Sequence, residues 1–512
     1  MSVRTFAAID VGSYELTIKI FTFSDKGSMR EVDCVKKRLD LGADTYASGK
    51  ISNGKMDELC RTLKDFSDIM RSYKVDSYKA YGTSAIRETE NSAIVQDQIT
   101  QRTGIRLDIL SNSEQRFLDY KSVASKGDSF RKIIEEKTAI LDIGGGSIQI
   151  SLFDNDKLVS TQNLRLGVLR IQDYLNRFSV KNFQAEELIN EIAMARLGTY
   201  ERLYLKDREI KNLIIIDDYI SPWAVRKRGK DSSRLLLDAG EFNSFFELLR
   251  RRDPARVASD MDIPEEKLPF VFISAVLIRC IRELMGVKRI WMPGVTLCDG
   301  IAYEYAEKTK MFRGEHDFEE DIVACAFNIS KRYMGSRKRS EALENITAII
   351  FDSMKKMHGL GKRERLYLRL AAILHDCGKY ISLVNTGETS FQIIMSTEII
   401  GLSHQEREIV AYVVRFNHSR FVYDVQMAGS LDGDSFLVVA KLTAILRLAT
   451  GLDRSHKQKL KGLRAALKEN QLVLTVDTQE DITLEKGFVE ANGEFFKEVF
   501  SVEPVLKQRK IF

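Results

Sequence analysis

At 512 residues the chain exceeds what one hydrophobic core supports, and three or four domains are expected. Its 44% hydrophobic and 29% charged residues are ordinary soluble values, and a net charge of only +5 gives no reason to expect a nucleic-acid partner. Apolar stretches such as Phe270 to Ile278 and Leu213 to Ile216 fall short of the roughly 18 residues of a membrane span, and Asp10 stands where a signal peptide would be apolar, so a cytoplasmic protein with no membrane partner is expected.

The chain opens on an apolar strand ending in Ile9-Asp10-Val11-Gly12-Ser13, and a second apolar stretch runs from Leu16 to Phe21. This spacing predicts a β-hairpin with the Asp-x-Gly loop at its tip. A helix near Lys55 to Tyr73, a strand near Tyr78 to Gly82, a helix near Ser92 to Thr103 and a strand at Arg106 to Leu110 complete an α/β domain over residues 1–125. A second α/β domain, residues 126–306, repeats the opening phrase as Leu141-Asp142-Ile143-Gly144-Gly145-Gly146-Ser147, followed by Ile148 to Phe153. It continues with a helix over Ala185 to Tyr200, strands at Asn212 to Ile216 and Lys288 to Met292, and the tight turn Met292-Pro293-Gly294-Val295. The charged segment Glu307 to Asp321 reads as a linker. Helical periodicity then takes over in an all-α domain, residues 307–465, with helices expected over Ile322 to Met334, Ile346 to Met357, Arg363 to His375, Ser390 to Ile399, Gln405 to Phe416 and Ser435 to Leu452. The tail, residues 466–512, reads as a small α+β segment: a hairpin from the alternating runs Gln471 to Asp477 and Asp481 to Glu485, then a helix over Glu494 to Phe500. Six scattered cysteines argue against a disulfide framework or a zinc site and read as reduced, mostly buried thiols. Basic residues cluster in Arg226-Lys227-Arg228, Arg250-Arg251-Arg252 and Arg337-Lys338-Arg339; such runs are usually solvated helix faces, though a polyanionic ligand would give them a use.

A lone Asp-x-Gly marks any strand that ends in a turn; two copies in matching context are harder to dismiss. Without a Cβ, the backbone of Gly12, Gly144, Gly145 and Gly146 can approach an anion and aim N–H groups at it, while Ser13 and Ser147 add hydroxyl donors. Asp10 and Asp142 suit a hydrated Mg²⁺ that bridges carboxylate to phosphate. Two facing loops of this kind would make a phosphate clamp.

Duplicated Asp-x-Gly hairpins in two α/β halves resemble the actin, sugar-kinase and Hsp70 ATPase superfold, in which two ribonuclease-H-like domains enclose a ligand cleft. Five ordered segments narrow the likeness: Ile9 to Ser13, Gly82-Thr83-Ser84-Ala85-Ile86-Arg87-Glu88, Ile109 to Arg116 with Glu114, Asp142 to Ser147, and Leu166-Gly167-Val168-Leu169-Arg170. Together they resemble the signatures of the exopolyphosphatase and guanosine pentaphosphate phosphohydrolase (Ppx/GppA) family. His375-Asp376-Cys377-Gly378-Lys379-Tyr380, Glu398 to His404 and Gly451 to His456 are similar to the HD-like domain of its long members. The resemblance implies removal of the terminal phosphate from inorganic polyphosphate or guanosine pentaphosphate, with Mg²⁺ and a homodimer. It implies Glu114 as the group that activates water, its plain alternative being an acid at a helix N-terminus. Arg87 suits a bidentate phosphate contact, its alternative being an ion pair with Glu88 or Asp10. Arg170 belongs to a motif that lines the cleft.

The chain departs from this pattern at Tyr14-Glu15, where the family carries Asn-Ser, and at Gln149, where an acid would join Asp142 and Asp10 around the metal. In the HD-like block, Asn385 to Phe391 lacks the expected histidines and Leu448-Ala449-Thr450 lacks the distal acid. That block therefore reads as structural, with His375 and Asp376 bonded to each other or to backbone. The leading expectation is an exopolyphosphatase, with guanosine pentaphosphate hydrolysis as the rival chemistry. A non-catalytic sensor of polyphosphate or an alarmone is favoured by Gln149 and the altered HD-like site, and an ATP-dependent kinase of the same superfold is disfavoured by the Glu114 motif.

Overall fold

The computed structural model describes residues 4–24, 28–178, 182–206, 208–221, 224, 236–251, 253–312, 314, 316–423, 431–460 and 462–509. The basic run Arg226-Lys227-Arg228 and Arg252 lie outside them. The chain divides into two compact units, Met1–Phe318 and Glu319–Phe512.

The first unit is built on two sheets of related topology. Strands β1 (Arg4–Val11), β2 (Glu15–Phe23), β3 (Met29–Arg38), β4 (Ser77–Gly82) and β5 (Leu107–Ile109) form one sheet in the order β3-β2-β1-β4-β5. Strands β6 (Thr138–Ile143), β7 (Ile148–Asp154), β8 (Lys157–Leu164), β9 (Asn212–Asp217), β10 (Leu236–Asp238) and β11 (Arg289–Trp291) form the other in the order β10-β11-β9-β6-β7-β8. In each, an antiparallel three-strand meander is extended by a parallel strand on its first member, β4 on β1 and β9 on β6. Both expected hairpins are present, with Val11 opposite Leu16 and Ile143 opposite Ile148. The third strand of each meander was not expected. Met29–Arg38 is a charged edge strand with mostly exposed side chains, and so it carries no apolar alternation to read.

The near-continuous apolar run at the start of β1 follows from burial on both faces. Ala7, Ile9 and Val11 point into a core shared with Leu59 and Leu63 of the Asn53–Ser72 helix and Ile99 of the Ser92–Thr103 helix. Phe6 and Ala8 point the other way, onto Leu118 of the Asn112–Ala124 helix and Cys298 and Ile301 of the Leu297–Lys308 helix. The chain thus returns to the first sheet after completing the second. At that crossing a Cβ on Gly300 would lie 1.9 Å from the carbonyl oxygen of Leu118, so only glycine lets the two helix backbones meet. Gly300→Ala is expected to cost at least about 1–3 kcal/mol, seen as a lower melting temperature for the first unit. An unchanged melt would mean that the helices separate freely there.

The second unit holds helices Arg337–Ser353, Lys362–Leu374, Thr386–Ser396, His404–His418, Gly433–Leu452 and Thr483–Phe500, with strands β12 (Arg464–Lys468), β13 (Gln471–Asp477) and β14 (Glu503–Arg509) in one sheet. The Gly433–Leu452 helix is long and apolar enough by composition to cross a membrane, a candidate the sequence reading passed over, but 67% of its apolar window is buried, as in a core helix. The tail differs from expectation. Gln471–Asp477 pairs antiparallel with Arg464–Lys468 and parallel with Glu503–Arg509, and Asp481 to Glu485 is not a strand. Over five residues the alternation of Ile482 and Leu484 also fits a helix start, and Asp481 settles it by accepting from the backbone N–H of Thr483 at 2.9 Å. Cys60, Cys280, Cys298, Cys325 and Cys377 are buried and only Cys34 is exposed, as the scattered spacing suggested.

Candidate active site

The two Asp-x-Gly loops close with the same hydrogen bond. Gly12 N–H donates to Glu15 O at 3.2 Å, and Gly144 N–H donates to Ser147 O at 3.0 Å. Both loops, with the residues that follow β4 and β9, line one cavity of about 80 Å³. Its wall includes Asp10, Gly12, Ser13, Asp142, Gly144, Gly145, Gly146 and Ser147, and the end of the Met292-Pro293-Gly294-Val295 turn also reaches it through Val295. All the residues expected to grip phosphate are therefore brought together.

The glycines are required by packing between the loops as much as by room for a ligand. A Cβ on Gly146 would sit 2.3 Å from both Ser84 Oγ and Tyr46 OH, and one on Gly145 would sit 2.9 Å from Leu169 Cδ1. Tyr46 is the hub of this contact: its hydroxyl lies 2.9 Å from Ser13 Oγ and donates to Ser84 Oγ at 2.8 Å, and Ser84 Oγ donates to Glu88 Oε1 at 2.9 Å. Arg170 closes the circuit. It donates from Nε to Gly146 O at 2.7 Å, pairs with Glu88, and lies over the Tyr46 ring at 4.4 Å. Gly146→Ala is expected to force Tyr46 and Ser84 aside, to cost about 1–3 kcal/mol in a melting experiment, and to splay the second loop. A melt equal to the parent's would show that the loops are not packed so tightly.

The electrostatics of the cavity are dominated by acids. Asp10, Glu15, Asp119, Asp142, Asp217 and Asp218 all line it, against Lys267. Burial and then the Asp218 carboxylate push Asp10 up to about 8, and burial and then Asp218 push Asp142 up to about 7. Burial, then the Asp142 carboxylate, drives Asp119 well above the carboxylate range. A phosphate cannot enter such a wall unless protons or a cation neutralise it. Asp10 Oδ1, Asp119 Oδ2, Asp142 Oδ2 and Gln149 Oε1 are buried without hydrogen-bond partners, which is the oxygen donor set a hard divalent cation takes. Among the described residues no three His, Cys, Asp or Glu side chains converge as a preformed metal site.

Gln149 stands directly opposite Asp142 across the hairpin and is 2% exposed, behind the cavity wall. Tyr14 and Glu15, the departures in the first loop, tie the two halves together. Glu15 accepts from Lys36 at 2.6 Å and from Lys267 at 3.3 Å, Lys36 reaches Asp218 at 3.2 Å, and Tyr14 packs edge-on against Phe270 at 5.0 Å. Glu114 is not on the wall. It sits at the third position of the Asn112–Ala124 helix in a capping box, accepting from Ser111 N–H at 3.0 Å, while its helix neighbours Gln115 and Asp119 line the cavity. Arg87 is also set back. It donates to Leu110 O at 2.6 Å and to Gln115 Oε1 at 3.3 Å, and Glu88, one partner proposed for it, pairs with Arg170 instead. Sequence reasoning missed Asp119, Asp217 and Asp218. Asp217 closes β9 and Asp218 follows it, beside Asp142 near the end of β6, a parallel that was legible; nothing in the helix periodicity distinguished Asp119.

In the second unit His375 Nδ1 lies 2.8 Å from Ala372 O and Nε2 3.0 Å from Asp376 Oδ2, as expected of a structural pair. Arg339 also bonds Asp376, which puts a guanidinium against the acid.

A family model described as the Ppx/GppA phosphatase family matches residues 21–214, and one described as Ppx/GppA phosphatase, domain III, matches residues 324–492. Exopolyphosphatase 1 of Mycobacterium tuberculosis is 30% identical over 164 residues, 32% of this chain and 46% of that protein, so the chain spans about half the length of the exopolyphosphatases it matches. A guanosine-5'-triphosphate,3'-diphosphate pyrophosphatase of Photobacterium profundum is 21% identical over 488 residues, 92% of this chain and 91% of that protein. The crystal structure of an exopolyphosphatase from Cytophaga hutchinsonii matches with a TM-score of 0.52 and 20% identity, covering 60% of this chain and 99% of that one, a likeness of fold.

Proposed function

Because the chain belongs to the Ppx/GppA phosphatase family, we propose that it is a phosphoanhydride hydrolase that removes the terminal phosphate of inorganic polyphosphate, working inward along the chain. The observation that carries the reading is the meeting of both Asp-x-Gly loops on one small acidic cavity. At about 80 Å³ it suits a single phosphoryl group with waters and lies far below the roughly 300–1,000 Å³ of pockets that enclose a drug-sized ligand. A substrate presented end-on, with the rest of its chain outside, fits that size.

Loop N–H groups and the Ser13 and Ser147 hydroxyls would grip the terminal phosphate, and Lys267 adds the cationic head on the wall. Asp10 and Asp142, with Gln149 behind, would hold Mg²⁺ largely through water; bound there, it supplies the positive charge that lets a polyanion approach these carboxylates and spreads charge in the transition state. Glu114 would orient and deprotonate the attacking water, for which its side chain must leave the Ser111 N–H, while Ser111 Oγ still caps the helix by accepting from Glu114 N–H. Arg87 acts as a positioning residue, holding Gln115 on the cavity wall.

Guanosine pentaphosphate is the second reading, supported by the pyrophosphatase that this chain parallels over nearly its whole length. The test is phosphate release from long polyphosphate, guanosine pentaphosphate and ATP, each with Mg²⁺. Release from polyphosphate alone supports the first reading, release from the nucleotide alone supports the second, and tight binding without release from either would make the protein a sensor.

A further inference from the structure

The second unit contains a pocket of about 460 Å³, within the size range of small-molecule sites, formed where the turn into the Arg337–Ser353 helix meets Asp376 to Tyr380. Its chemistry differs from that of the acidic cleft. Lys338, Arg339 and Lys379 line it, against one carboxylate, Asp376. That acid is engaged through Oδ2, which Arg339 bonds and which lies 2.9 Å from Lys379 Nζ and 3.0 Å from His375 Nε2, while its Oδ1 has no hydrogen-bond partner among the described residues. Arg339 is 7% exposed; its Nε makes no hydrogen bond among the described residues but lies 3.9 Å from the buried Asp453 Oδ2, so the guanidinium is held between two carboxylates with only part of its donor fork used. Burial, then the Arg339 and Lys379 charges, push the pocket's His456 down against the opposing pull of Asp376 and Asp453. The N-terminus of the Arg337–Ser353 helix, capped by Ser336, opens onto the same wall. At the rim, Tyr380 is 63% exposed and meets Tyr333 edge-on at 5.9 Å, leaving the outer ring as a platform.

We propose that this pocket binds a nucleoside phosphate, with the phosphates on Lys338, Arg339, Lys379 and the helix N-terminus and the base stacked on Tyr380. A metal is not the ligand to expect, because Arg339 already lies against Asp376, where a cation would have to sit. A bare phosphate chain would leave the pocket's volume and the tyrosine unused, and a nucleotide uses both.

The test is hydrogen–deuterium exchange on the full chain, titrated with ADP and separately with tripolyphosphate, and read on peptides covering 333–339 and 376–381 so that binding in the cleft does not interfere. ADP is expected to slow exchange saturably in both segments. Tyr380→Ala and Lys379→Ala, which alter exposed or half-exposed side chains and should leave the circular dichroism spectrum unchanged, are each expected to weaken that protection about fivefold to thirtyfold. Tripolyphosphate should need at least about tenfold more ligand, since it lacks the stacked base. No protection at millimolar ADP, or equal protection in both variants, would overturn the site. Tripolyphosphate protecting as well as ADP would overturn the nucleotide assignment.

Discussion

Asp142→Asn is expected to lower phosphate release by on the order of 10³-fold, equivalent to about 4 kcal/mol of lost transition-state stabilisation, while raising the melting temperature of the metal-free protein. The two effects share one cause. Asp142 lies in a wall of like charges, and its folded-state value of about 7 stands above the 3.8 of an ordinary aspartate. Between those values the native state holds a proton that the unfolded chain has released, so the contribution of Asp142 to stability is full below about pH 4 and is lost as pH rises to about 7. A neutral amide removes that loss. The variant should melt above its parent at pH 8, and the gap should close at pH 4. A variant that melts below its parent at pH 8 would mean that Asp142 is satisfied within the protein rather than held ready for a cation.

The same sign governs metal affinity. A cation can use Asp10 and Asp142 only as carboxylates, so apparent Mg²⁺ affinity should climb with pH until it passes about 8, the higher of the two values, and each binding event should release protons. Calorimetry in buffers of different ionisation enthalpy measures that release. Affinity independent of pH would contradict the arrangement.

What the sequence disclosed and what it concealed follow from the range over which each interaction acts. The hairpins were legible because Asp10 to Ser13 and Asp142 to Ser147 are local phrases whose turns and flanking strands are set by neighbouring residues. The convergence of Ser13, Gly146 and Ser147 on one cavity was legible only through the duplication. The reason for the glycines was not, since Tyr46 and Ser84 come from separate elements and meet Gly146 only in three dimensions. Asp119 was hidden for a similar reason: on its helix it is one more polar position, and only the fold aims it at Asp142. Edge strand Met29–Arg38 was hidden because a strand with one solvated edge needs no apolar code.

Glu114→Gln is expected to reduce phosphate release by about 10²–10⁴-fold with polyphosphate affinity retained. The substitution isolates chemistry from structure. In the capping box the Glu114 side chain accepts from Ser111 N–H, and a glutamine oxygen accepts the same bond, so the Asn112–Ala124 helix keeps its start and Asp119 keeps its place in the cavity wall. What the amide cannot do is take a proton from water. Asp119 is the one acid on that helix that lines the cavity, and burial beside the Asp142 carboxylate raises it well above the carboxylate range, which favours its protonated form in the metal-free state. Asp119→Asn should therefore lower release less than Glu114→Gln and should chiefly shift the Mg²⁺ concentration needed for activity. If the order is reversed, with Glu114→Gln near parental and Asp119→Asn inactive at saturating Mg²⁺, the water is aimed from the cavity wall and Glu114 is only the cap that the structure shows it making.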